Sequence, residues 1–181
     1  MNTRKLNLRD YILCALFAAI IAICAWISIP VLEIAFTMQT FAVCLTLGVL
    51  GGKRGTLAII CYILLGAVGV PVFAGFRGGV GVLLGVTGGY ILGFLASGPV
   101  YWAVTAWLGE RGKLLGMVLA LLACYAFGSA WFMILYLQQG TVMGLGTVLM
   151  TCVVPYLIPD ALKVALAMVL SQRLKRFADG V

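Results

Sequence analysis

The stretch PYLIPDALK, residues 155–163, places an acid and a base three residues apart at the start of the last apolar segment of the chain. An ionisable side chain at membrane depth is unfavourable by about 3 kcal/mol, so it is usually retained with a partner or for a function. Pro159 suits the first position of a helix, and Asp160 would then meet the positive end of the helix dipole. Because residues three apart share a helix face, Asp160 and Lys163 are predicted to offer one acceptor and one donor to a small molecule.

The rest of the composition is that of a membrane protein. Of 181 residues, 64% are hydrophobic and only 9% are charged, and the mean hydropathy is +1.18, which excludes a soluble globular domain with a polar exterior. At about 20 residues per span, the length predicts an all-α protein with six transmembrane helices in one bundle and a single domain, residues 1–181. The net charge is +7, but the charged residues lie in short clusters between apolar runs. A nucleic-acid-binding protein collects its basic residues on one face, so this pattern does not indicate nucleic-acid binding.

The positions of the cysteines and the absence of histidine from the sequence argue against a metal site, a bound cofactor and an enzymatic function. The six cysteines all fall in apolar runs without a C-x-x-C pair, and they are expected to be small core residues. The chain has no histidine, which removes the commonest general base and the commonest metal ligand. The first apolar run, residues 11–29, has no convincing cleavage site and is expected to remain as the first span.

Five further apolar segments follow the first one along the chain. The predicted spans are residues 11–29, about 36–50, 56–69, 88–108, 114–137 and 159–176. Residues 141–154 are apolar but too short to cross, so they are expected to be interfacial or partly inserted. In the first span, Ala15 and Ala19, and likewise Ala18 and Ala22, form small-xxx-small faces that let another helix approach closely, in this protein or in a partner.

Two polar or irregular regions are candidates for the binding site. Gln39 lies in the run TMQT, residues 37–40, whose polar groups need partners or a cavity at membrane depth, although an interhelical hydrogen bond would also satisfy Gln39. The glycine-rich region 70–89 carries one charge, Arg77, and is otherwise apolar. Non-helical backbone at membrane depth is tolerated where it lines a cavity, so this region is predicted to be a loop that acts as a lid.

The distribution of basic residues predicts the orientation. If there are six spans, ten of the twelve basic residues fall on one side, among them Arg4, Lys5 and Lys53. By the positive-inside rule this side is the cytoplasm, and both termini are cytoplasmic. Arg77 and Lys163 are left on the outer side, where an anionic ligand would explain both. The alternative is an i,i+3 ion pair between Asp160 and Lys163, with Arg77 reaching lipid headgroups.

Several motifs resemble those of the BioY family, the biotin-binding S-components of energy-coupling factor (ECF) transporters. The similarity covers about residues 9–176 and is carried by these runs: YILLGAVGVPVFAGF at 62–76, TGGY at 87–90, FTMQTF at 36–41 and DALK at 160–163. The resemblance implies a six-helix bundle that binds biotin on its outer side in the cell membrane. It also implies two kinds of partner, a transmembrane coupling subunit and two cytoplasmic ATPases, with Ala15 and Ala19 as the docking surface for the coupling subunit.

These observations lead to a hypothesis for biotin binding. The chain contains no G-x-x-x-x-G-K-[ST] motif, so energy must come from a partner. The ureido ring of biotin is expected to meet Asp160, Lys163 and Gln39, and its carboxylate to pair with Arg77 or with backbone N–H groups. The apolar part of the vitamin would lie near three aromatic residues, Phe73, Phe76 and Tyr90.

Three other interpretations are compatible with the sequence. An S-component for a different vitamin would share the lid and the charge pair. An intramembrane enzyme is less compatible, because a serine-type site needs a histidine and the chain has none. An aspartyl-type site needs two aspartates within the membrane, whereas Asp10 and Asp179 lie at the predicted cytoplasmic ends. A purely structural membrane protein would tolerate replacement of both Asp160 and Lys163 by leucine without loss of ligand binding or uptake.

Overall fold

The computed structural model describes residues 7–29, 34–141 and 143–179, with the side chains of 176–179 excepted. Arg4 and Lys5, two of the residues behind the predicted orientation, lie outside the described residues.

The described part of the chain is almost entirely helical. Its elements, in order, are α1 (Leu8–Trp26), β1 (Ser28–Ile29), β2 (Phe36–Thr37), α2 (Gln39–Ala67), α3 (Val80–Leu84), α4 (Gly88–Leu108), a 3₁₀ turn (Gly109–Gly112), α5 (Lys113–Gln138), α6 (Leu145–Cys152) and α7 (Val154–Asp179). The two short strands pair antiparallel, Ser28 with Thr37 and Ile29 with Phe36.

Four helical stretches among the described residues are long and apolar enough to cross a membrane. They are Leu8–Trp26, Gln39–Ala67, Gly88–Gln138 and Val154–Lys175. The expectation of a multi-pass helical membrane protein is therefore confirmed. Six helices in one bundle stays a prediction, and it depends on whether the second and third stretches each fold back on themselves.

The second stretch reverses direction at Gly51. This glycine has φ +78° and ψ 172°, a conformation that is essentially restricted to glycine. A Cβ placed on Gly55 would lie 3.1 Å from the Cα of Leu47, and the side chains of Gln39 and Tyr62 meet farther along. In a straight helix, residues eight apart would be about 12 Å apart. The two halves of α2 therefore pack side by side as a helical hairpin.

The third stretch folds back at the 3₁₀ turn, which separates α4 from α5. Gly116 contacts the ring of Tyr101, and Gly93 contacts the backbone of Cys124, so the two helices run antiparallel over most of their length. Glycine at these contacts lets the helices approach closely, as small residues do in lipid.

α1 packs mainly against α2 and is joined to it by polar contacts at one end. The backbone N–H of Asn7 donates to Asp10 Oδ2 at 3.0 Å, which satisfies a free donor at the start of α1. Asp10 also forms an ion pair with Arg54 (3.2 Å), just after the reversal of α2, and Cys14 Sγ donates to the Arg54 carbonyl. These contacts fix the start of α1 against the turn of the α2 hairpin.

The glycine-rich region folds across the opposite end of the molecule. Phe73 is fully buried and pairs by its backbone with Arg77, while Trp26 Nε1 donates to the Pro71 carbonyl at 2.8 Å. On the other flank, Trp131 Nε1 donates to the Gly85 carbonyl at 3.2 Å. The segment is thus attached to both α1 and α5.

The start of the last long helix differs from the sequence prediction. α7 begins at Val154, and Pro159 lies inside the helix instead of at its first position. Pro155 falls in the first turn, where a missing N–H carries no penalty, so the helix can begin before both prolines. Asp160 consequently lies in the second turn of α7, farther from the positive end of the helix dipole than the sequence predicted.

Charged residues collect at the end of the bundle that carries the α2 turn. Lys53, Arg54, Lys113 and Lys175 line a cavity there of about 570 Å³, together with Asp10 and Glu110. Glu110 pairs with Lys113 at 2.5 Å and with Lys175 at 2.7 Å, and hydrogen bonds from these two lysines lower the pKa of the glutamate. The ion pairs link the 3₁₀ turn to α5 and α7.

We predict that Gly51→Ala lowers the free energy of unfolding by about 1–3 kcal/mol, because a β-carbon is disfavoured at this φ and ψ. A Cβ at this position would meet no other atom within 4 Å, so any loss reports backbone strain alone. Gly146→Ala in α6 is the matched control, since that glycine is also free of neighbours but has no positive φ. Chemical unfolding of the purified variants in detergent measures both, and equal stability of the two variants would contradict the predicted strain.

Candidate binding site

One cavity brings together six of the seven residues that the sequence singled out for ligand binding, Phe76 being the exception. It lies at the end of the bundle opposite the α2 turn and is lined by α2, the glycine-rich segment, α4, α5 and α7. The predicted residues that line it are Gln39, Phe73, Arg77, Tyr90, Asp160 and Lys163.

The acid and the base of α7 are buried and paired. Asp160 is 3% exposed and Lys163 is 6% exposed, and Lys163 Nζ lies 2.7 Å from Asp160 Oδ1. The other carboxylate oxygen, Oδ2, accepts a hydrogen bond of 2.5 Å from the hydroxyl of Tyr125 on α5. The pair therefore faces the cavity and neighbouring helices instead of lipid, and each carboxylate oxygen already has a partner.

Lys163 also holds the backbone that precedes α2. Its Nζ donates to the Thr37 carbonyl at 2.7 Å and lies 3.8 Å from the centre of the Phe36 ring. An ammonium group has three N–H donors, and here one is directed to Asp160, one to Thr37 and the third side of the group faces the ring. Lys163 therefore anchors the β1–β2 hairpin to α7 as well as pairing with the acid.

Gln39 belongs to a second buried hydrogen-bond network. Its Nε2 donates to Tyr62 Oη at 2.5 Å, and its Oε1 accepts from Thr37 Oγ1 at 3.2 Å. Tyr62 Oη donates to the Val72 carbonyl at 3.3 Å, and its ring meets that of Phe73 edge to face at 5.6 Å. The amide of Gln39 is thus connected through Tyr62 to the glycine-rich segment that lines the cavity, and its second N–H remains for a ligand.

Tyr90 and Arg77 occupy different depths of the cavity. Tyr90 is partly buried on α4, its hydroxyl lies 3.4 Å from Ser129 Oγ, and its ring packs against Gly128. Arg77 is exposed, and its Nε donates to the Ala74 carbonyl at 3.2 Å. The cavity therefore has an aromatic wall and a cation at its rim.

Phe76 does not take the expected place beside the ligand. Its ring is 65% exposed and stacks on Trp26 with 5.0 Å between ring centres, outside the set of residues that line the cavity. Phe76 also has a φ of +56°, the only positive φ at a non-glycine residue in the described part of the chain. This backbone conformation turns the side chain toward α1 and away from the cavity.

Tyr125 and Tyr156 line the cavity and were not singled out from the sequence. Tyr156 donates its hydroxyl to the Ile34 carbonyl, and its ring lies 6.5 Å from that of Phe36. A tyrosine inside an apolar span is a usable signal, because a buried hydroxyl almost always requires a partner. The sequence does not indicate which partner, since Tyr125 and Asp160 are 35 residues apart.

The groups that line the cavity are suited to binding a ligand. It combines a carboxylate, an amide, a rim cation and aromatic surface, and such a mixture suits a small ligand that is apolar in part and polar at its ends. Among the residues that the structure describes, no group of three or more His, Cys, Asp or Glu side chains is placed to hold a metal ion.

Comparison with known protein families and relatives gives a consistent result. Residues 1–180 match the BioY family. The "Probable biotin transporter BioY" of Pyrococcus horikoshii is 38% identical over 169 residues, which cover 92% of this chain and 96% of the relative. The "Biotin transporter BioY" of Thermotoga maritima is 53% identical over 88 residues, so that match spans 49% of this chain and about half, 52%, of the relative.

The fold also matches a solved structure. A crystal structure of the S-component for biotin from an ECF-type ABC transporter aligns with a TM-score of 0.81, covering 96% of this chain and 95% of the other. The sequence identity in this match is 24%, so it establishes the fold alone.

We predict that Lys163→Met lowers the free energy of unfolding by about 3–5 kcal/mol, because it leaves a buried carboxylate without its cation. The double variant Asp160→Asn/Lys163→Met removes both charges and should recover most of this loss. Lys53→Met, at an exposed lysine of the opposite end, is the control for loss of a cation alone. Chemical unfolding in detergent measures all three, and an unchanged Lys163→Met would mean that the pair does not contribute to stability.

Proposed function

Because the chain belongs to the BioY family, we propose that it binds biotin with high affinity and takes it up across the cell membrane. It does so as the substrate-specific subunit of an ATP-driven ECF transporter, so it is a transport protein and not an enzyme. The observation that carries this proposal is the buried Asp160 and Lys163 pair beside Gln39, in one cavity with Phe73 and Tyr90. The names of the relatives supply the identity of the vitamin.

The groups of biotin match the groups of the cavity. The ureido ring has two N–H donors and one carbonyl acceptor, which suit the carboxylate of Asp160 and the free N–H of Gln39. Phe73 and Tyr90 give apolar surface for the bicyclic ring and the tail. Arg77, at the rim, is the cation available for the carboxylate, and a guanidinium binds carboxylates well because of its planar fork of donors.

The arrangement in the membrane follows from the two hairpins. If both halves of α2 cross the bilayer, and α4 and α5 cross separately, then α1 and α7 complete six spans in one domain. The glycine-rich segment then covers the cavity as a lid. Its attachment to Trp26 on α1 and Trp131 on α5 supports this role, because two hydrogen bonds to flanking helices can be released without unfolding the bundle.

The orientation follows from the basic residues. Lys53, Arg54, Lys113 and Lys175 all lie at the end opposite the proposed biotin site. By the positive-inside rule we assign this end, and with it both termini, to the cytoplasm. Biotin then enters from the outside, and transport requires an energised rearrangement supplied by partners.

The partners are a transmembrane coupling subunit and two cytoplasmic ATPases, since the chain has no nucleotide-binding motif of its own. On α1, Ala15 and Ala19 are exposed, whereas Ala18 and Ala22 are buried against the protein. The first pair therefore offers a flat strip to another helix, as small-xxx-small faces do. We assign Ala15 and Ala19 as the docking face for the coupling subunit.

We predict that Asp160→Asn weakens biotin binding at least about tenfold, because a hydrogen bond to a charged group contributes about 1.5–3 kcal/mol. Glu110→Gln, which removes a carboxylate at the opposite end, should bind as the unmodified protein does. Isothermal titration calorimetry of purified protein in detergent measures both. Unchanged biotin binding by Asp160→Asn would refute the role of Asp160 in the site. A panel of other vitamins in the same assay tests specificity, and tighter binding of another vitamin would refute biotin as the substrate.

We predict that Ala15→Trp or Ala19→Trp abolishes co-purification with the coupling subunit while biotin affinity stays unchanged. An indole on this face would hold a partner helix away. Ala103→Trp is the matched control, because Ala103 is likewise an exposed alanine in a span, on α4. If the complex survives the substitutions on α1, or is lost equally in the control, the docking face lies elsewhere.

A further inference from the structure

Tyr125 lines the cavity and contacts the buried acid, and the proposed function gives it no role of its own. It is buried on α5, at 7% exposure, and its hydroxyl is the partner of Asp160 Oδ2. Lys163 holds the other oxygen, Oδ1. The carboxylate is therefore fixed from two helices, by its own helix through Lys163 and by α5 through Tyr125.

This arrangement determines what Asp160 can offer to a ligand. An ionised carboxylate has about four acceptor positions, and in this site two are already occupied. The remaining positions can accept N–H groups but cannot donate to a ligand. Their direction depends on Tyr125, because a carboxylate held only by Lys163 is free to rotate until both oxygens face the ammonium group.

We propose that Tyr125 is a positioning residue that makes the site selective for ligands with ureido-type N–H donors, by holding the Asp160 carboxylate with its free acceptor positions toward the cavity. This inference rests on the proposed function. Lys163 holds only Oδ1 and belongs to the same helix as Asp160, so it does not by itself fix the direction of Oδ2. Tyr125 is therefore the contact from outside α7 that sets the orientation of the acid.

The test compares Tyr125→Phe with the unmodified protein for two ligands. One is biotin, and the other is a biotin derivative methylated on the ureido nitrogens, which has lost the N–H donors. We expect Tyr125→Phe to lower the affinity for biotin at least about tenfold, which corresponds to the loss of a hydrogen bond to a charged group. The affinity for the methylated ligand should change less than about twofold, because that ligand has no N–H to donate to Asp160. Equal loss for both ligands would indicate a merely structural role and overturn the proposal.

Two further measurements sharpen the comparison. Tyr101→Phe is the matched control, because Tyr101 is also buried in a span but lines the cavity at the other end, and it should leave biotin affinity unchanged. In an Asp160→Ala background, Tyr125→Phe should have no further effect on biotin binding, since the carboxylate that Tyr125 positions is then absent. Additive losses would overturn the proposal.

The outcomes separate this inference from the proposed function. If the unmodified protein does not bind biotin, the proposed function fails and this inference fails with it. If it binds biotin and Tyr125→Phe binds equally well, only the role of Tyr125 is refuted. Should Tyr125→Phe not fold, 3-fluorotyrosine introduced at position 125 replaces it. A more acidic hydroxyl should then change affinity for biotin and not for the methylated ligand, and an unchanged biotin affinity refutes the role.

Discussion

The buried pair of Asp160 and Lys163 is the interaction on which the cavity end of the molecule depends. Removing two charges from water is expensive, and their mutual attraction offsets this only when further hydrogen bonds satisfy the remaining groups. Tyr125 and the Thr37 carbonyl supply those bonds, from α5 and from the strand before α2. The requirement to satisfy the pair thus draws three separate parts of the chain together, and the cavity forms where they meet.

Glycine determines where the aromatic walls of that cavity lie. A Cβ on Gly66 would come within 2.0 Å of the Phe73 ring, and one on Gly128 within 2.4 Å of the Tyr90 ring. Each ring therefore packs directly on the backbone of a helix, because no β-carbon stands between them. Much of the glycine in this chain serves close packing in helices, and only part of it serves turns such as Gly51.

The sequence was sufficient for the class of fold and for six of the residues that line the cavity, and it was insufficient for the contacts among them. Asp160, Lys163 and Gln39 stand out because a polar side chain in an apolar segment is costly, and that argument needs no partner to be known. Tyr125 does not stand out, because its significance comes from a contact across 35 residues. The start of α7 was misjudged for a related reason: local preference put Pro159 at the first position, whereas the first turn had already formed around Pro155.

The structure also connects the proposed docking face to the proposed lid. α1 is held at its start by Arg54 and at its end by Trp26, which bonds to the Pro71 carbonyl and stacks on Phe76. Between these two attachments, Ala15 and Ala19 lie on the exposed side. A partner that shifts α1 would therefore move Trp26 relative to the glycine-rich segment that lines the cavity. Because Phe76 is in a disfavoured backbone conformation, loss of the Trp26 contact would remove an interaction that holds that segment in its present position. Binding of a partner at one surface and release of a ligand from another would then be coupled through α1.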